Sequence, residues 1–131
     1  MENLKLIFKK ALEDLDLRSE DYKFELTDNI PSLTPGAKAT ACKIDKTIWV
    51  KENQSLKKTT YAVLHECRHL YQFKNGGYRV PEDKIKMEAD ANQYAVKNVL
   101  RFMLIAKYGI EPDLKAILTG IKFYKEINVG F

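Results

Sequence analysis

Ser55-Leu56-Lys57-Lys58-Thr59-Thr60-Tyr61-Ala62-Val63-Leu64-His65-Glu66-Cys67-Arg68-His69-Leu70-Tyr71-Gln72-Phe73 is the stretch that decides the fold. Ser55 is an N-cap residue, and Asn75-Gly76-Gly77 is a stop signal just past Phe73, so the spacing predicts one helix between them. On a helix His65 and His69 sit one turn apart on the same face, with Glu66 beside the first. They are the chain's only two histidines. Two neutral imidazoles at this HExxH spacing hold one zinc ion, and the glutamate reaches the position left to water. The expected reaction class is zinc-assisted hydrolysis, with Glu66 as the base.

A catalytic zinc takes three protein ligands, and no histidine remains to supply the third. The next helical pattern opens at Pro81, a first-turn proline, and runs through Ile85, Ala89, Val96, Val99, Leu100 and Met103 to about Tyr108, where Gly109 stops it. Within it Glu88, Ala91, Asn92 and Ala95 share a face. The alanines allow close packing against the His65–His69 helix, which leaves Glu88 and Asn92 as the polar groups able to reach across. Glu88 is therefore the expected third ligand, and Asn92 the partner that fixes an imidazole tautomer. Asp90 competes, but it points to the opposite side of the helix and is expected in solvent.

Upstream, residues 3–17 read as an amphipathic helix with Leu4, Ile7, Phe8, Ala11, Leu12 and Leu15 on one stripe. Tyr22 to Thr27 alternate like a half-buried strand, and residues 29–36 form a loop rich in turn formers. A hairpin follows: Lys38 to Ile44, a turn at Asp45-Lys46, then Thr47-Ile48-Trp49-Val50. Downstream, a short helix is expected from Pro112 to Leu118, and residues 120–131 carry no clear assignment.

Composition sets the frame. At 131 residues, 45% hydrophobic and 31% charged, the chain reads as one domain, 1–131. The net charge of +4 is spread over lysines with acidic neighbours, so direct nucleic-acid binding is not expected. The seven tyrosines and Trp49 read as core and boundary residues rather than base-stacking platforms. No apolar run spans a bilayer and the N-terminus is unlike a secretory signal, which points to a cytoplasmic protein with no membrane partner. Cys42 and Cys67 make no disulfide framework, and Cys67 should face away from the metal as a small buried hydrophobe.

His65-Glu66-x-x-His69 followed by Glu88-x-x-Ala91-Asn92-x-Tyr94-Ala95 resembles the ImmA/IrrE-type metallopeptidases, and the strand Ile48-Trp49-Val50 resembles the one before that family's active-site helix. The similarity covers roughly residues 47–100. It implies an α+β, minimal zincin-like fold: a small antiparallel or mixed sheet on the HExxH helix, with a second helix carrying a glutamate ligand. It also implies zinc ligands at His65, His69 and Glu88, Glu66 as base, and a protein or peptide substrate. Such enzymes are often found in phages and mobile elements, where they cleave regulatory proteins such as repressors. Arg68 stands where the family commonly has glycine, and the run continues to Gln72 as His-Glu-x-Arg-His-x-x-Gln.

The expected function is a gluzincin-like zinc endopeptidase. The alternative is a zincin-scaffold binding module that works by protein–protein contact without proteolysis. Substrate is expected to add as a strand along Thr47–Val50, taken as a sheet edge. Tyr71, Tyr78 and Arg79 are the candidates for oxyanion or substrate contact, each with packing or surface exposure as the plainer role. Arg68 reads as a surface or salt-bridging residue.

Overall fold

A computed structural model of the chain describes residues 2–76 and 81–108. The expectations at Gly77, Tyr78, Arg79, Gly109, residues 112–118 and the tail lie outside the described residues. The described residues form an α+β structure: helix α1 (Glu2–Asp14), strands β1 (Lys23–Thr27), β2 (Ala39–Cys42) and β3 (Thr47–Lys51), and helices α2 (Leu56–Lys74) and α3 (Pro81–Tyr108).

Helix α1 ends earlier than its apolar stripe predicts. Asp16 adopts a left-handed φ of 59°, and Leu17 N–H bonds back to Leu12 O at 2.8 Å. This six-to-one closure turns the chain away and still buries Leu15 and Leu17. The C-terminal end of α1 is tied to α3 through Asp14, which accepts from the Tyr94 hydroxyl at 2.9 Å and pairs with Arg101 at 3.3 Å.

The three strands make a mixed sheet in the order β1-β3-β2, with β3 parallel to β1 and antiparallel to β2. Register explains which face is core. Phe24 pairs with Ile48 and Ile48 with Ala41, while Leu26 pairs with Val50 and Val50 with Ala39. These two apolar rows pack towards the helices, and Ile48 and Val50 are fully buried. Each such side chain stabilises the fold by about 1.5–3 kcal/mol.

Two expectations change here. Thr47–Val50 is the central strand, not an edge, because β1 pairs along its other side. Hydrogen-bonded along both edges, it leaves no free backbone row for a further strand. Trp49 is not core: it lies half-buried on the outer face, and its indole N–H donates to Glu25 Oε2 of β1 at 3.0 Å. The hairpin turn also takes four residues, 43–46, since Cys42 pairs directly with Thr47 and Lys46 adopts φ 50°.

Helix α2 is the hub, packing on β2, β3, α1 and α3. Its N-terminus is capped by Ser55, whose hydroxyl accepts Lys58 N–H at 3.2 Å. Its other end is closed by Asn75, whose side chain donates to Tyr71 O at 2.9 Å. Helix α3, 28 residues and about 42 Å long, lies against it. Ala91 and Ala95 are fully buried at that seam, and the missing side-chain bulk lets the two helices come close. Cys67 is fully buried in the core, and burial pushes its thiol up from the ordinary range. No described helix is long and apolar enough to cross a membrane.

Candidate metal centre

The one-turn spacing on α2 puts the two imidazoles edge to face, ring centroids 4.7 Å apart, with their Nε2 atoms 3.1 Å from each other. From α3, Glu88 brings one carboxylate oxygen to each ring: Oε2 is 3.1 Å from His65 Nε2, and Oε1 is 3.0 Å from His69 Nε2. All three residues offer ligand atoms within 4.8 Å of one another, a grouping able to hold a metal ion.

The chemistry of this donor set can be tested on His69. Its Nδ1 lies 2.7 Å from Gln72 Oε1, and the Gln72 amide nitrogen donates to Met87 O and Asp90 Oδ2, both at 2.9 Å. With its nitrogen committed to two acceptors, Gln72 presents an oxygen to the ring, so Nδ1 carries a hydrogen, and the neutral ring then offers its electron pair at Nε2. That lone pair faces the Glu88 carboxylate and another imidazole. Electron-pair donors brought this close together are satisfied by a cation, so the residues fit a metal.

The support behind His69 was not anticipated. Arg68 grips Asp90 with two hydrogen bonds, 2.7 Å from Nε and 3.2 Å from Nη2, and Asp90 in turn holds Gln72. The guanidinium lies over the rings of Tyr71 and Tyr94, at 4.4 and 5.5 Å from their centroids. Hydrogen bonding from Arg68 holds the Asp90 carboxyl below its usual range. Asp90 is therefore not a free solvent-facing acid: at 41% side-chain exposure it is the anchor joining α3 to α2. The Gln three residues after the second histidine was the available signal, since that spacing puts it one turn along the same face.

On the His65 side, Asn92 stands near enough to the ring to favour its charged form, but its Oδ1 accepts the Tyr61 hydroxyl at 2.9 Å. Nδ1 of His65 is buried and makes no hydrogen bond. Tyr61, one turn before His65 and stacked on it at 6.2 Å, reaches Asn92 first. Burial, then His69, pushes the His65 imidazole towards its neutral form, which is the form a metal ligand needs. Glu88 and Asn92 are also less enclosed than expected: the Glu88 side chain is 48% exposed, and Asn92 is exposed as well.

Glu66 is buried beside the rings, its carboxylate 3.9 Å from His65 Nε2. Burial, reinforced by Glu88, pushes it up to about 8 in the metal-free protein. Tyr71 is not brought into the cleft. It lies under Arg68 and lines a different groove with Asn75 and Lys86. Tyr78 and Arg79 lie outside the described residues. The cleft over the rings is walled instead by β2, by Ser32 and Thr34 of the preceding loop, and by Phe73, Lys84 and Met87. The outer side of β2 pairs with no strand among the described residues. Compared with models of known protein families and with curated proteins, the chain matches none.

Proposed function

We propose that the chain is a zinc-dependent endopeptidase of gluzincin type, with a minimal zincin-like fold related to the ImmA/IrrE metallopeptidases. The observation that carries this reading is the convergence of His65, His69 and Glu88 on one point, with the buried Glu66 carboxylate beside it. His65, His69 and Glu88 would hold the ion. Bound there, zinc would supply Lewis-acid chemistry, acidifying water and polarising a carbonyl.

The remaining work falls to the chain. Glu66 takes a proton from the attacking water and delivers it to the amine that leaves as the C–N bond breaks. Burial makes the Glu66 carboxyl a stronger base than an ordinary glutamate, and a cation held by the three neighbouring residues would favour its charged, proton-accepting form. The substrate lies extended in the cleft alongside β2, the outer strand that walls it, rather than along Thr47–Val50. The substrate we propose is a cytoplasmic regulatory protein, such as a repressor of a phage or mobile element.

The test is a trap. Glu66→Gln keeps the three ligands but removes the base, so it should retain substrate that the wild-type protein cuts. Partners captured by this variant, identified by mass spectrometry, should then be cleaved by wild type. Captured partners that wild-type protein leaves intact would favour a scaffold acting by contact alone.

A further inference from the structure

Two grooves share Ala39, His65 and Glu66 and so meet at the candidate centre. The smaller, about 400 Å³, is the one walled by β2, Phe73, Lys84 and Met87. The larger, about 730 Å³, is built by the first turns of α2 and the middle of α3. Its walls are apolar, from Tyr61, Ala62, Val96 and Val99, and Lys38, Lys57 and Lys58 also line it. Val99 is buried, whereas Val96 leaves 64% of its surface open. Lys38 and Lys58 are exposed and make no salt bridge among the described residues.

An apolar trough of this size beside a reacting centre gains from burying a large hydrocarbon side chain, and the ammonium groups along it favour carboxylates while repelling cations. We infer that the larger groove is a substrate-recognition site that takes a bulky apolar side chain next to the scissile bond, with a carboxylate close by in sequence held by Lys38 and Lys58. This deepens the peptidase reading and rests on it. The carboxylate belongs either to an Asp or Glu side chain or to the free C-terminus of the peptide, since the same ammonium groups serve both.

The test uses zinc-loaded Glu66→Gln, which binds without cutting, and fluorescein-labelled decapeptides read by anisotropy. The peptides carry Leu or Ser at the centre and Asp or Lys on its flanks, each with a free or an amidated C-terminus. The Leu–Asp peptide should bind at least about fivefold more tightly than the Leu–Lys or Ser–Asp peptides. An Asp-over-Lys preference that survives amidation assigns the carboxylate to the side chains, whereas affinity lost on amidation from the Asp and Lys peptides alike assigns it to the C-terminus. Lys38→Glu with Lys58→Glu should reverse the Asp-over-Lys preference, and Val96→Lys should remove the Leu-over-Ser preference. Equal binding of the peptides, or preferences untouched by these exposed substitutions, overturns the inference. Wild-type protein on the same peptides separates the two questions. Cleavage with no Leu–Asp preference overturns this inference and spares the peptidase reading, whereas selective binding with no cleavage does the reverse.

Discussion

His69 Nδ1 and Gln72 Oε1 lie 2.7 Å apart, one turn along the same helix, and this contact decides which ring nitrogen faces Glu88. Because Gln72 is itself held by Asp90 and by the Met87 carbonyl of α3, the tautomer of a proposed ligand on one helix is set by the helix that carries the proposed third ligand. Gln72→Leu should therefore weaken zinc binding by about 10–100-fold, measured by competition with a chromophoric chelator, with little change in helicity. Unchanged affinity would show that Gln72 only packs.

Glu88→Ala removes a proposed ligand rather than a support and should cost more than Gln72→Leu, upwards of about 100-fold in zinc affinity. Asp90→Ala should fall between wild type and Glu88→Ala, because it frees Gln72 and Arg68 without touching the ion. If Asp90→Ala proved the more damaging, the assignment of the third ligand would be reversed.

How much of this was legible in the residues differs by element. The HExxH spacing and the 88–95 pattern are local and periodic, so the sequence located the helix pair and the Glu88 carboxylate that faces the histidines. Strand order was not legible. Thr47–Val50 pairs with a neighbour 24 residues upstream as well as with its hairpin partner, and nothing local announces that parallel pairing. Trp49 was misread for the same reason, since a single slip in which face is covered moves it from core to surface. Arg68 reads as a surface or salt-bridging residue, and what the residues alone do not give is its partner, the Asp90 carboxylate 22 residues on.

The pH dependence of the metal-free protein follows from Glu66. Its folded carboxyl titrates at about 8 against an ordinary value of 4.5, raised first by burial and then by Glu88. A raised folded value means a contribution to stability that is complete below about 4.5 and lost as pH rises through 8. His65 has the opposite sign: its lowered value favours the fold above its ordinary 6.5 and is lost on acidification. The comparison with Glu66→Gln cancels the histidine. In the metal-free state the two proteins should melt together near pH 4.5, with Glu66→Gln the more stable at pH 8.5. A constant difference between those pH values would contradict the burial of Glu66.

The α2–α3 seam should tolerate no added bulk. Ala95 is fully buried there, so Ala95→Leu should cost about 1–3 kcal/mol in denaturant unfolding. By spreading the helices it should also lower zinc affinity, although Ala95 touches no ligand atom. Loss of stability with unchanged zinc affinity would show that the carboxylate of Glu88 follows the histidines without help from the seam.

The central claim is that three residues hold zinc and a fourth moves the proton. Zinc content and cleavage of a trapped substrate, measured side by side on wild type and Glu66→Gln, test it most directly. The account predicts about one zinc per chain in both proteins and cleavage by wild type alone. A wild-type protein that takes up no zinc at neutral pH, or a Glu66→Gln variant that cuts as fast as wild type, would contradict it.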